Sequence, residues 1–486
     1  MTDSAPLQPH QASGTGRRLA MFRAPLSGPN QSGGIDTIVN RSRHMGRNNP
    51  WVKASVDKYV ANAIGTGIQA KCINGTAEQK KVRHKKWKRW CKVADADGQL
   101  TFEAMQALAV AEYREAGECF ARLRPRRPSD GLPVPLQAQL IESEQCPRHY
   151  YSTAPNGNAI KEGIEFGPIG NRVAYWFYRA HPGDQNPGTI NASELVRIPA
   201  DQIVHLYRPL RGGQLRGIPA ISASLVLIFN QDRLSDNIME RQSVANLFSG
   251  WFTKGSDAAE QSVLGEMAED QEAEVDGTPV AGMEPGTMSE LPKGWDVKFN
   301  DPPGPGTEFA EYMRLNLLAF CAASGIPYEV LTGDLRDVSD RALKLILLEF
   351  HRLIEMDLWL QIIPMFCQRI RDAWWDAAVL AGALDAPGYD VDPEEYTDTL
   401  WVPQGWPYAH PVQDVDADIK AVRAGFTSLT KVVLGHGEDP EETAAEQVAD
   451  NARADALGLK HDSDGRQAKS GPAPAPADPA QQDANQ

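Results

Sequence analysis

The spacing of apolar residues changes period along the chain, and each change marks an element. Phe102, Met105, Leu108 and Ala109 recur at helical spacing behind Thr101, whose hydroxyl suits a helix start, so residues 101–116 read as a capped amphipathic helix. Residues 57–64 read as a shorter helix. Runs rich in β-branched and aromatic residues at 118–123, 135–141, 163–166, 172–178 and 202–207 predict strands. Between two of them, Gly167-Pro168-Ile169-Gly170-Asn171 predicts a hairpin turn. In the last run Ile203, His205 and Tyr207 share one face and Val204 and Leu206 the other. An Arg/Gly-rich turn then leads to Pro219, placed in a first helical turn where its missing N–H costs nothing.

Beyond Pro219 the pattern is helical. Residues 225–229 are apolar on every side, which predicts burial from several directions; Leu234, Ile238, Ala245 and Phe248 continue a narrower stripe. Phe309, Met313, Leu317 and Phe320 define another helix, stopped by Gly325 and Pro327. A third runs from near Ser339 to Ala381, on the order of 60 Å at about 1.5 Å per residue, with a kink expected at Pro364. Its face of Leu343, Leu347, Phe350, Ile354 and Leu358 needs partners along its whole length, and head-to-tail neighbours in a ring would supply them. The fold class is therefore α+β: a mixed body with several antiparallel strands, then long helices and a mostly helical C-terminal region.

Composition narrows the reading. A chain of 486 residues is long enough for two or three cored domains. Its richest apolar stretch, 343–366, is interrupted by Lys344, Glu349, Arg352, Glu355 and Asp357, so no bilayer-spanning segment and no membrane partner is expected. The N-terminus has no apolar core of the signal-peptide type. Cys72, Cys91, Cys119, Cys146, Cys321 and Cys367 are scattered and read as reduced thiols, with no metal site expected. Both ends, 1–40 and 461–486, are polar and low in complexity, so they are expected to be mobile.

Charge is unevenly distributed. Residues 41–130 hold 19 Lys and Arg against 9 Asp and Glu, although the whole chain carries −15, so the remainder is strongly acidic. The stretch from Lys80 to Trp90 concentrates cations, among them Lys85, Lys86, Lys88 and Arg89, around Trp87 and Trp90. It can be read as a nucleic-acid contact surface, by phosphate pairing and base stacking, or as a solvated helix face with both tryptophans packed inward one turn apart. A second basic group lies at Arg122-Leu123-Arg124-Pro125-Arg126-Arg127. Residues 257–276 contain eight Asp and Glu and no Lys or Arg, which predicts an exposed excursion.

Catalytic motifs fail against the chain. Ile64-Gly65-Thr66-Gly67-Ile68-Gln69-Ala70 has dinucleotide-type glycine spacing but follows a helix instead of a strand, so a turn is expected. Asp95-Ala96-Asp97-Gly98 has its glycine two positions early for a calcium loop, and Gln106 stands where the bidentate Glu belongs. A phosphate-binding loop, a His-Glu-x-x-His pair and a nucleophile elbow are all missing from the sequence, so no catalytic residue and no cofactor is expected. His205 and His351 read as satisfied imidazoles on a strand and a helix face.

Short elements recur in a recognisable order: Arg47-Asn48-Asn49-Pro50, Ile64-Gly65-Thr66-Gly67-Ile68, Asp95-Ala96-Asp97-Gly98, Gly117-Glu118, Gly163-Ile164-Glu165, Val173-Ala174-Tyr175-Trp176, the corner from Ile198 to Pro219, Ser324-Gly325-Ile326-Pro327-Tyr328-Glu329 and Trp401-Val402-Pro403. In this order, across residues 41–455, the chain resembles the portal proteins of lambda-type tailed phages. The resemblance implies a dodecameric ring at one capsid vertex of the virion, assembled in the host cytoplasm, through which double-stranded DNA enters on packaging and leaves on ejection. It also implies docking of the major capsid protein, the terminase large subunit and head-completion or connector proteins, with no enzymatic activity in this chain. On this reading 41–216 is the wing-like body and 217–250 a long helix. The acidic clip-region excursion is 251–305, the stem helix 306–325, the long kinked helix 341–382 and the crown region 383–460. Residues 326–340 then correspond to the tunnel loop, with Arg336, Asp337, Ser339 and Arg341 at or beside it. Two other classes stay open: a nucleic-acid-binding protein acting through 80–90, and a hydrolase with an unrecognised site.

Overall fold

A computed structural model of the chain describes residues 34–184, 194–247, 250–254, 274–275, 278–279, 295–299, 309–336, 338–408 and 410–459. Most of the 1–40 and 461–486 tails, the acidic block at 257–276 apart from residues 274–275, and Asp337 lie outside them. The chain divides into two compact units: residues 1–62 with 90–383, and residues 63–89 with 384–486.

The first unit is built on two antiparallel sheets. Strand Glu118–Pro125 lies between Leu136–Ile141 and Ile203–Tyr207, with Arg122 opposite both Gln139 and Ile203. The second sheet runs in chain order through Ser152–Thr153, Ala159–Lys161, Ile164–Phe166, Arg172–Tyr178 and Leu195–Pro199. The predicted hairpin is present, closed by Gly167 N–H to Asn171 O at 2.8 Å and Gly170 N–H to Gly167 O at 2.9 Å. Phe120, Ile164, Tyr175, Phe177, Ile198 and Ile203 form the core between the sheets. Each points inward from its strand, while Glu118–Ala121 and Ile203–Tyr207 are buried on both faces, with helix Phe102–Ala116 packed on these two strands.

Helix Phe102–Ala116 packs on the central strand and starts as expected, with the Thr101 hydroxyl accepting from Ala104 N at 3.4 Å. The turn before it is explained by Asp95, whose carboxylate accepts the backbone N–H groups of Asp97, Gln99 and Leu100 at 3.0–3.1 Å. This carboxylate serves the backbone, as a turn requires. The expected N-terminal tail is too long by six residues. Helix Ile35–Asn48 begins inside it, because Ile35 and Val39 bury against Ala116 and Ile218.

Helices Leu225–Leu247, Phe309–Ser324 and Asp340–Asp357 complete this unit together with a continuation to Leu380. The first starts at Leu225, not at residue 217, since the chain turns through 219–224 first. Burial on every side is also corrected: Leu225 and Ile228 are buried, while Val226 and Phe229 are exposed. The long third helix does reach Leu380, but over Leu358–Cys367 its turns widen to a π-helix that contains Pro364. Proline cannot donate the N–H an α-turn needs, and a wider turn accommodates this locally. At the start of that segment, Asp357 is buried and accepts from the Tyr59 and Tyr113 hydroxyls, the latter at 3.0 Å.

The second unit corrects the boundary drawn at 41–216. Strand Gln69–Cys72 pairs antiparallel with Thr399–Val402, joining residues 63–89 to the C-terminal region. The Gly65–Gly67 segment is the turn entering that strand, closed by Gly67 N–H to Ile64 O. The C-terminal region is helical as expected, at Pro411–Arg423, Leu429–Gly435 and Pro440–Leu457. Lys71 pairs with Asp439 at 3.0 Å and Glu442 at 2.7 Å, and Lys80 with Glu441 at 2.9 Å. These lysines hold the acidic first turn of the last helix, whose N-terminal dipole also favours the carboxylates.

Candidate functional site

The corner singled out in the sequence closes on a buried carboxylate. Gly117 and Gly217 meet backbone to backbone: a Cβ on Gly217 would lie 1.9 Å from Gly117 O, and one on Gly117 would lie 2.3 Å from the Ile218 carbonyl carbon. Gly117 also has φ +88°, so it is glycine for two independent reasons. The close approach brings Glu118 under the corner, where it accepts from Gly217 N–H at 2.9 Å, Arg216 Nη2 at 2.6 Å, Arg148 Nη2 at 2.6 Å and the Ser143 hydroxyl at 2.6 Å. His205 Nε2 completes the set at 3.0 Å. Two sequence elements about a hundred residues apart are thus one structural joint.

Electrostatics fix the protonation states within it. Burial alone would raise the Glu118 carboxyl, but Arg148, Arg216 and the His205 bond hold it well below the usual range. Arg172 Nη1 donates to His205 Nδ1 at 2.9 Å, so the ring is neutral with its proton on Nε2, facing Glu118. Burial pushes His205 down to about 3, against the raising pull of Glu118. The ring lies stacked with Phe120 and Tyr207 at 4.3 and 4.4 Å. Such a group is fully spent on neighbours, so this is a structural joint and not a proton-transfer centre. Arg148 and Arg172 carry no sequence signal of their own; Glu118 and Arg216 were legible only as part of the family-like elements.

The surface of the long helices is a different matter. Phe350, Ile354 and Leu358 are buried and Leu343 and Leu347 half-buried by the chain itself, so the face expected to need ring neighbours is covered without them. A second apolar face was not foreseen: Leu345, Leu348, Met356, Trp359 and Leu360 are 39–62 % exposed. Tyr312, Leu315 and Leu318 continue this character on helix Phe309–Ser324. Apolar side chains repeating along a helix and exposed in the single chain form a surface available for an interaction.

The described residues of the expected tunnel loop have local roles. Residues 326–340 are not loop throughout, since Tyr328–Thr332 is a short helix ending at Gly333. Arg336 is exposed and paired with Asp334 at 2.8 Å. The Ser339 hydroxyl accepts from Ala342 N at 3.3 Å and caps the next helix, and Arg341 is exposed in its first turn.

In the basic stretch, Lys85, Lys88 and Arg89 are exposed and Lys86 half-buried on helix Ala77–Cys91. Trp87 and Trp90 are buried, Trp90 donating to Leu136 O at 2.7 Å. They are unavailable for base stacking, which removes half of the chemistry the nucleic-acid reading needs. All six cysteines are free and five are buried, with Cys146 pushed up to about 11 by burial. Among the described residues, no helix is long and apolar enough to cross a membrane.

Comparison with known proteins gives the surfaces a context. A probable portal protein of Halomonas phage phiHAP-1 is 25% identical over 439 residues, covering 87% of this chain and 82% of its own length. Among solved structures, the neck of a native gene transfer agent particle computed with C12 symmetry matches at 17% identity and TM-score 0.47, over 87% of this chain and 98% of that one. An HK97 family phage portal protein from Corynebacterium diphtheriae matches at 10% identity and TM-score 0.29, over 63% and 83% of the two chains. The family model for phage portal protein, lambda family, matches residues 15–357, well over half the sequence. The chain belongs to the lambda family of phage portal proteins.

Proposed function

We propose that this chain is the subunit of a closed, dodecameric ring at one capsid vertex of a virion, the conduit for double-stranded DNA during packaging and ejection. Its outer surfaces dock the major capsid protein, the terminase large subunit and head-completion or connector proteins, and the assembly takes place in the host cytoplasm. The chemistry is mechanical and electrostatic, with packaging ATP hydrolysis carried by another protein. In this reading the segment 326–340 faces the tunnel, with Arg336, Asp337, Ser339 and Arg341 at or beside it.

The observation that carries the proposal is the second apolar face of the long helix, from Leu345 to Leu360. The first face is already used within the chain, so the second is left for a neighbour. Covering each of these half-exposed side chains contributes about 1–2 kcal/mol at ~25 cal/mol per Å², and a heterologous contact repeated by rotation closes a ring. Sedimentation of a Leu348→Glu, Trp359→Glu variant tests it. Loss of the large assembly with retained helix content supports the proposal; an unchanged assembly contradicts it.

A further inference from the structure

The two sheets of the first unit are not filled along their whole depth. Phe120, Arg122 and Arg124 share the inward face of the central strand, and Tyr175, Phe177 and, one residue past the strand end, Arg179 share the facing side of the second sheet. From one end to the other the space between the sheets passes from the buried Glu118 joint through the aromatic core to an open cleft of about 490 Å³. Arg122, Arg124 and Arg179 line it with Gln139, Gln145 and Tyr178, over an apolar floor that includes Ile141, Phe177 and Ile198. Among the described residues, no Asp or Glu lines it.

Among the described residues, the Arg122 and Arg124 charges have no counter-charge. Among the described residues, the Arg122 side chain makes no hydrogen bond or ion pair, and that of Arg124 bonds only the neutral Gln139 amide, at 2.7 Å. Burial and the neighbouring Arg124 charge both lower the Arg122 pKa, so the adjacent guanidinium groups repel without a counter-charge. Arg179 pairs with Glu194 at the half-exposed edge, at 3.1 Å.

We propose that this cleft docks an extended segment of a partner protein in which acidic and apolar residues alternate. Arg122 and Arg124 stand about 7 Å apart as alternate residues of a strand, and alternate side chains of an extended peptide repeat at that same spacing. Carboxylates at such positions meet the two guanidinium forks, while the residue between them points to the other side, toward the apolar floor. The apolar floor of Ile141, Phe177 and Ile198 suits aliphatic side chains and offers nothing to a phosphate backbone. This proposal concerns a face separate from the apolar helix surface and does not depend on ring closure.

The test is fluorescence anisotropy of the full-length protein with a labelled Glu-Leu-Glu-Leu-Glu peptide, alongside a labelled DNA duplex and oligo(dT). Saturable peptide binding, weakened at least about tenfold by Arg122→Gln with Arg124→Gln and unchanged by Arg127→Gln, is expected. The charge-reversed Arg122→Glu, Arg124→Glu protein should instead take up a Lys-Leu-Lys-Leu-Lys peptide, which also shows that the altered cleft is folded. Absence of saturable peptide binding overturns the proposal. So does tighter binding of either nucleic acid that depends on the same two arginines.

Discussion

Replacing Glu118 by Gln should destabilise the first unit far more than an ordinary charge removal. The substitution keeps the volume of the side chain but leaves the buried Arg216 and Arg148 without their carboxylate, and it presents an amide N–H₂ either to Ser143 Oγ, where Oε1 now accepts, or to Gly217 N–H and His205 Nε2, where Oε2 now accepts. Breaking a buried pair from one side costs about 3–5 kcal/mol, a large fraction of the roughly 5–15 kcal/mol by which a domain is stable. The exposed Glu349, paired with Arg352 at 3.7 Å, provides the contrast; Glu349→Gln should cost less than about 1 kcal/mol. Urea unfolding at fixed protein concentration, with hydrogen exchange read in strands Glu118–Pro125 and Ile203–Tyr207, measures both. At a slope of about 1–3 kcal/mol per M, the Glu118 variant should lose on the order of 1 M or more in midpoint. Its exchange protection should fall first in those two strands. Equal midpoints for the two variants would refute the reasoning, because the joint would then contribute no more than a surface pair.

Other consequences follow from the same geometry. His205 is held neutral down to about pH 3 when folded but takes up a proton near 6.5 when unfolded, so the unfolded chain binds more protons between those values. Stability should therefore fall as pH drops below 6.5, by about 1.4 kcal/mol per pH unit from this group, and urea titrations of a His205→Gln variant should show a slope shallower by one proton. Glu118 adds to the acid loss only at lower pH, since its depressed carboxyl contributes stability above the unfolded carboxylate pKa and loses it as pH falls through the folded value. Gly217→Ala should give little folded protein on expression, because its Cβ would occupy the position of the Gly117 carbonyl. Neutralising Lys85, Lys86, Lys88 and Arg89 together should leave the assembly unchanged in sedimentation. Loss of tight, salt-sensitive binding to short DNA in that variant would instead favour the nucleic-acid-binding reading.

Legibility of the fold in the sequence tracks the range of the interactions. The Thr101 cap, the hairpin at Gly167 and the alternation through Ile203 to Tyr207 depend on neighbours in sequence, and each is present. The pairing of Gln69–Cys72 with Thr399–Val402 joins segments more than three hundred residues apart, and nothing local in either specifies the other. The boundary drawn around the body consequently missed that residues 63–89 belong with the C-terminal region. The Glu118 joint was half visible: Gly117-Glu118 and Arg216-Gly217 were recognised as family-like elements, but only the close approach of the two glycines shows why they go together. Apolar residues at Val226 and Phe229 suggested burial, and in a single chain they are exposed. Hydrophobic pattern reports that a side chain is to be covered, without saying whether by its own chain or by another.

Assembly is the claim on which the account turns, and electron microscopy of the purified protein, with particle mass measured on the same sample, tests it most directly. Rings with a central hole and a mass about twelve times 53.3 kDa are the predicted result for a closed cyclic assembly. A monomer or dimer that persists across protein concentration and salt, with Leu345 to Leu360 remaining accessible to solvent, would contradict it.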